Sequence, residues 1–142
     1  MRVMDKPTNR SERAIDVLLV DDDPALRGAL ARGLKRKGFE VSAAATAADA
    51  LRLVADPGVP IDVVIMDIVL PDSWGSQVAM EQSLYRPETP VIFISGHALE
   101  DAVLQASSGQ GEIVFLAKPF TVDELAAAIR SIVSGEGKGS TD

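Results

Sequence analysis

Short apolar runs alternate along this chain with segments whose apolar residues recur at helical spacing. The runs occupy residues 17–20, 41–45 (the weakest), 61–66, 91–94 and 113–117. Each is too short for a buried helix and most are rich in Val and Ile, so they are predicted as strands. Their near-continuous apolarity suits strands covered on both faces, as in a parallel sheet. Between them, Leu26, Leu30 and Leu34 repeat at i, i+4, i+8. Ala47, Ala50, Leu51 and Val54 follow i, i+3, i+4, i+7, as do Leu99, Ala102, Val103 and Ala106. Leu125, Ala128, Ile129, Ile132 and Val133 form the last apolar stripe. The segment 74–85 carries the weakest period. Val78, Gln82 and Tyr85 would share its inner face, and the polar Gln82 means that either the helix is rotated or that face is partly wet.

Start and stop signals agree with these segments. Asp23 is placed to cap the first helix with Pro24 in its first turn. Thr121 and Glu124 have the spacing of a capping box for the last. Gly38 and Gly135 stand where helices should stop. The order is β-α repeated five times, which predicts an α/β fold: a parallel sheet with helices on both faces and right-handed crossovers. Residues 1–15 are polar without an apolar period and read as a flexible leader. Residues 135–142 form a Gly-rich tail, so the folded unit is expected at 16–134.

Composition narrows the chemistry. The chain is one domain long, with 46% hydrophobic, 25% charged and 4% aromatic residues, so its core must be aliphatic. It contains no cysteine, which excludes disulfides, thiolate catalysis and Cys-based zinc sites. No signal-peptide pattern or apolar run of about 18 residues is present, and a soluble cytoplasmic protein is expected. The net charge of −7 argues against direct DNA binding, which needs clustered basic groups. The clearest basic cluster, Arg32, Lys35, Arg36 and Lys37, reads as a solvated helix face.

The residues that end the strands carry the chemistry. The first strand is followed by Asp21-Asp22-Asp23, the third by Asp67, the fourth by Ser95-Gly96 and the fifth by Lys118-Pro119. A parallel sheet brings these ends to one edge, where ligands bind in such folds. Carboxylates held close repel one another, and a hard divalent cation with oxygen ligands compensates. Mg²⁺ takes one or two carboxylates and keeps open positions for water and phosphate oxygens. Ser95 with the Gly96 N–H, and Lys118, can hold further equatorial oxygens of a transferred phosphoryl group. Asp67, on a central strand and facing the other groups, is the best nucleophile, giving an aspartyl-phosphate.

The segments VLLVDDDPALR, VVIMDIVLPDSWG, VIFISGHA and VFLAKPF closely resemble the four signature blocks of response-regulator receiver domains. The resemblance covers roughly residues 16–134 and implies a flavodoxin-like fold, a five-stranded sheet in the order 2-1-3-4-5. It implies that Asp67 is the phosphoacceptor and that Asp22 ligates Mg²⁺ directly. Asp21 would act mainly through water, and the Val69 backbone carbonyl would be a further ligand. Ser95 and Lys118 would be the switch hydroxyl and the phosphate-binding lysine, and the Lys118–Pro119 bond would be cis. Phe115 occupies the position of the aromatic that turns inward on activation. The switched surface would comprise the helical segment around 99–106, the fifth strand and the last helix. The implied donor is a histidine kinase or histidine phosphotransfer protein. The output would be contact with a downstream protein, from a monomer or weak dimer, with no turnover activity beyond the domain's own phosphorylation and dephosphorylation. The blocks look similar to receivers of hybrid kinases and stand-alone receivers. A leader starting at Met1 and no effector domain after 134 lead us to expect a stand-alone protein or an N-terminal receiver of a longer one.

Some positions depart from the common pattern. Gly96 stands where Ala is commoner, leaving access to the phosphoryl group open. Trp74 precedes Gly75 where an acid is frequent; it reads either as a lid on its loop or as an exposed partner anchor. Val69 and His97 flank the path of hydrolytic water, and apolar Val69 is expected to slow loss of the phosphoryl group. His97, the only histidine, reads as an ordinary loop residue. Phe39 and Phe120 read as core or near-core packing. Two other functions compete. One is a phosphotransferase or phosphatase of the haloacid dehalogenase type, whose Asp-x-Asp arrangement Asp21 and Asp23 superficially meet. Pro24-Ala25 follows where Thr or Val is expected, and Asp67 would have no role. The other is a degenerate receiver acting as a scaffold, although every expected side chain is present.

Overall fold

A computed structural model describes residues 13–96 and 112–134. The strands are β1 (Asp16–Val20), β2 (Glu40–Ala44), β3 (Val63–Asp67), β4 (Val91–Ser95) and β5 (Ile113–Ala117). The helices are α1 (Pro24–Arg36), α2 (Ala47–Val54), α3 (Gly75–Tyr85) and, after β5, α4 (Val122–Ser134). The strands form one sheet in the order β2-β1-β3-β4-β5, every pair parallel. The helical segment expected around Leu99–Ala106, His97 and the stop at Gly135 lie outside the described residues.

Side chains alternate across the sheet, as the period of two requires. Leu18, Val20, Val64, Met66 and Phe93 face α2 and α3, where Ala47, Ala50, Val54, Val78 and Ala79 close the layer. Val17, Leu19, Val63, Ile65, Ile92 and Ile94 face Leu30 and Leu34 of α1 and Leu125, Ala126, Ile129 and Ile132 of α4. Phe39 is buried in this second layer and Phe120 packs against it. Burial on both faces explains why β1, β3 and β4 lack hydrophobic–polar alternation in the sequence. Before β1, Ile15 packs against the second layer and its carbonyl accepts from the Glu40 N–H at 3.0 Å. Arg13 pairs with Asp62 at 3.2 Å.

The caps form as expected. Asp23 accepts from the N–H groups of Ala25 and Leu26 at 3.0 and 3.2 Å. Thr121 and Glu124 satisfy each other's backbone N–H at 2.8 and 3.0 Å. Gly38 follows α1 with φ +99°, which a side chain would strain. α1 and α4 meet closely, since a Cβ on Gly33 would stand 2.8 Å from Val122 Cγ2.

Two expectations are corrected. β3 begins at Val63 rather than at 61, because the β1–β3 register opens with Val17 opposite Val63; Ile61 is buried outside the strand. In α3 the buried stripe is Gly75, Val78, Ala79 and Gln82, while Tyr85 is 58% exposed. The helix is rotated toward Ala79, and Gln82 stays dry, its Nε2 donating to the Thr89 carbonyl at 3.3 Å. Gly75 sets this rotation: a Cβ there would meet the Asp67 carbonyl at 2.5 Å and the Phe93 ring at 3.1 Å.

Candidate metal and phosphoryl-transfer site

Strand register assembles the site. Val20 lies opposite Met66, so the next residues, Asp21 and Asp67, leave the sheet side by side. Asp67 lies opposite Ile94, which puts Ser95 one step beyond it. Ser95 lies opposite Ala117, so Lys118 follows at the same rim. The Lys118 N–H donates to the Ser95 carbonyl at 2.8 Å, and the Lys118–Pro119 bond is cis.

Asp21 is fully buried. Its Oδ1 accepts from the Asp23 N–H at 2.8 Å, an Asx turn that starts the approach to α1. Its Oδ2 has no hydrogen-bond partner and lies 3.8 Å from Lys118 Nζ. Burial raises the pKa of this carboxyl, against the lowering effects of the Asp23 amide and the Lys118 charge, and the neighbouring Asp67 and Asp22 add to the rise. Asp22 is exposed and Asp67 half-buried. Asp67 Oδ1 accepts from the Val69 N–H at 3.0 Å, and its Oδ2 accepts from Lys118 Nζ at 3.0 Å. Burial weakens the Lys118 ammonium, but hydrogen bonding and charge from Asp67, with Asp21 and Asp23 behind it, outweigh that and its pKa is raised.

One carboxylate oxygen each from Asp21, Asp22 and Asp67 lie within 4.8 Å of one another. Three hard oxygen donors, one of them buried with an oxygen that lacks a hydrogen bond, fit a small divalent cation such as Mg²⁺. Lys118 supplies one positive charge beside three acids, so a net negative pocket remains to be neutralised. Ser95 is buried at the same rim. Among the described residues, a Cβ on Gly96 would come within ordinary contact of Lys118 Cδ alone, at 3.9 Å. Val69 is exposed and forms an isolated bridge with Trp74, which is 55% exposed and therefore does not close as a buried lid. Phe115 stacks on Phe93, ring centroids 5.5 Å apart. Asp23, half of the Asp-x-Asp pair, is committed to capping α1.

Three residues near the site went unread in the sequence. Arg27 Nη1 donates to the Asp21 carbonyl at 2.7 Å from the first turn of α1. Gly75 permits α3 to start against the Asp67 backbone. Asp72 accepts from Ala47 and Ala48 at the start of α2. Only Gly75 had a local signal, a glycine at a loop-to-helix junction.

The chain matches the model of the response regulator receiver domain over residues 17–130. It is 33% identical over 130 residues to sensor kinase CckA of Brucella abortus, a match covering 92% of this chain and 14% of that protein. It is 37% identical over 120 residues to transcriptional regulatory protein GlrR of Escherichia coli K12, covering 84% of this chain and 26% of the relative. A response regulator receiver protein from Sinorhizobium medicae, 32% identical, superposes with TM-score 0.74 over 88% of this chain and 98% of its own. The chain thus spans between 14% and 26% of the length of those two curated relatives.

Proposed function

The chain belongs to the response regulator receiver domain family, and from that premise we propose that Asp67 accepts a phosphoryl group from a histidine kinase or histidine phosphotransfer protein in a Mg²⁺-dependent step. The observation that carries this reading is the 3.0 Å contact of Lys118 Nζ with Asp67 Oδ2 beside the carboxylates of Asp21 and Asp22. Asp21, Asp22 and Asp67, with the Val69 carbonyl, would hold the cation; Asp22, being exposed, is the accessible ligand. When bound, Mg²⁺ supplies positive charge to phosphoryl oxygens and offsets the repulsion among the acids.

The chain's own groups do the rest. Asp67 is the nucleophile: a P–O bond forms to its carboxylate as the donor's P–N bond breaks, and the imidazole leaves, its nitrogen taking up a proton. Lys118 neutralises charge on the transferred group, and Ser95 with the Gly96 N–H holds another oxygen. Phosphorylation adds about −1.5 to −2 charge and three acceptor oxygens. Ser95 turning toward them and Phe115 repacking against Phe93 would carry the change to β5 and α4, the surface read by a downstream protein. The domain catalyses only its own phosphorylation and dephosphorylation. The receiver domain is assigned to residues 16–134 of the sequence, with Arg13 and Ile15 packed against its start. A cytoplasmic setting fits a kinase donor, and among the described residues no helix is long and apolar enough to cross a membrane. Apolar, exposed Val69 lengthens the lifetime of the phosphoryl group. The −7 charge disfavours direct DNA binding.

Incubation with a small phosphodonor and Mg²⁺, followed by peptide mapping, tests the reading. Label on Asp67, abolished in Asp67→Asn and by chelation, is the expected result. Steady turnover of phosphate esters lost in Asp21→Asn, with no label on Asp67, would replace it with the dehalogenase-type enzyme. Absence of both Mg²⁺ binding and label would leave a scaffold.

A further inference from the structure

The loop after Asp67 is closed on itself. Val69 bridges Trp74, the Leu70 N–H reaches the Ser73 carbonyl at 3.0 Å, and the Gly75 N–H reaches the Ile68 carbonyl at 2.5 Å. Ile68 and Leu70 anchor it in the core. From this unit Asp72 reaches across to α2. Its Oδ1 accepts from Ala47 N at 2.8 Å and its Oδ2 from Ala48 N at 3.1 Å. Thr46 Oγ1 takes the next donor, Asp49 N, at 3.1 Å. The first-turn amides of α2, which a helix leaves unpaired, are therefore shared between a local cap and a residue 25 positions away. The Ala47 amide above all, with that of Ala48 adding to it, holds the Asp72 carboxyl below the usual range despite the opposing effect of desolvation.

These bonds close a ring around the acidic site. The Asp21 N–H donates to the Ala44 carbonyl at the end of β2, at 3.1 Å. Three residues later the chain is at Ala47, which is bound to Asp72, and Asp72 lies five residues after Asp67. The backbones of Asp21 and Asp67 are thus joined twice, once through the β1–β3 ladder and once through the β2–α2 junction and Asp72.

We propose that Asp72 is a positioning residue that clamps the Asp67 loop to the amino end of α2, so that cation binding at Asp21, Asp22 and Asp67 and ordering of the start of α2 depend on each other. This rests on the reading of those acids as a Mg²⁺ site. Coupling of this kind is reciprocal: whatever the clamp contributes to cation affinity, the cation returns to the start of α2.

The test uses the full chain, with Trp74 as reporter. It is the only tryptophan and stands two residues from Asp72. Mg²⁺ is titrated by Trp fluorescence, and amide hydrogen exchange at Ala47 and Ala48 is followed with and without Mg²⁺, in wild type, Asp72→Ala and Asp72→Asn. The expected results are a saturable signal in wild type and slower exchange at both amides when Mg²⁺ is present. Asp72→Ala should lose about three- to tenfold in Mg²⁺ affinity, below the usual range for groups that directly support a ligand because the effect passes through the loop. It should also lose the exchange response. Asp72→Asn, which keeps one acceptor oxygen, should lie between the two and carries the test should Asp72→Ala not fold. Wild type that binds Mg²⁺ while both variants match it in affinity and exchange response overturns the clamp. So does Asp72→Asn as weak as Asp72→Ala, which would assign the effect to charge. Wild type without any Mg²⁺ signal overturns the metal site itself, and the clamp with it.

Discussion

Lys118 at the end of β5 donates its ammonium to Asp67 at the end of β3 over 3.0 Å, bridging 51 residues of sequence across β4. In the absence of a cation, this contact is the main compensation for the Asp67 charge. Lys118→Ala should therefore have two opposed effects. Phosphoryl acceptance should fall by about 10²- to 10³-fold, the usual cost of one preorganised charge donor at a developing oxyanion. Mg²⁺ should bind more tightly, because the competing cation is gone. Rates from a small phosphodonor and Mg²⁺ titrations of the same variant check both; weaker Mg²⁺ binding would contradict the competition.

Asp21 and Asp72 should shift stability with pH in opposite directions. The native pKa of Asp21 is raised by burial, so its contribution is fully present below the ordinary carboxylate pKa and lost as pH rises through the raised native value. In chelator, Asp21→Asn should raise Tm at neutral pH by about 3 °C for each 1 kcal/mol relieved, and the gain should vanish toward acid pH. The native pKa of Asp72 is lowered by the α2 amides, so its contribution is present above the ordinary value and lost as pH falls through the lowered one. Asp72→Ala should be destabilised at neutral pH, with the difference shrinking as Asp72 protonates in wild type. Calorimetry across pH without Mg²⁺ measures both.

Gly75→Ala should damage the site from beneath. The added Cβ would stand 2.5 Å from the Asp67 carbonyl oxygen, backbone that cannot turn aside. Overpacking of this kind costs about 1–3 kcal/mol, more than the gain in helix propensity of about 1 kcal/mol. The lost stability should come with slower phosphorylation, because the displaced strand end carries the acceptor. A denaturant midpoint unchanged from wild type would show that α3 can retreat freely.

Gly33 and Val122 should be coupled. A Cβ at position 33 would stand 2.8 Å from Val122 Cγ2. Gly33→Ala alone is expected to destabilise by about 1 kcal/mol once propensity is counted. In a Val122→Ala background the clash is removed, and the same change should stabilise by up to about 1 kcal/mol. A double-mutant cycle by urea unfolding reads the change of sign.

The local features were legible in the chain because their causes are local. Apolar runs of four to six residues mark strands, Asp23-Pro24 and Thr121…Glu124 mark helix starts, and the acids, hydroxyl and lysine sit at or just after strand ends. Parallel pairing then leaves those ends one common edge, so strand order alone brings Asp21, Asp67, Ser95 and Lys118 together. Tyr85 was misplaced because α3 has little amphipathic period and its rotation is set by Gly75 against a strand end, a contact that spacing along the helix does not encode.

Tertiary structure alone decided which polar groups serve partners far away in the chain. Asp72 resembles an ordinary turn residue, yet it caps α2 across 25 positions. Arg86 resembles a surface cation, yet it holds the carbonyls of Val54, Asp56 and Val59 at 2.8–2.9 Å behind the same helix. The reason is physical. Hydrophobic periodicity and capping are short-range constraints that leave a trace in neighbouring residues. A side chain that satisfies a distant backbone is chosen only after packing has fixed where that backbone lies.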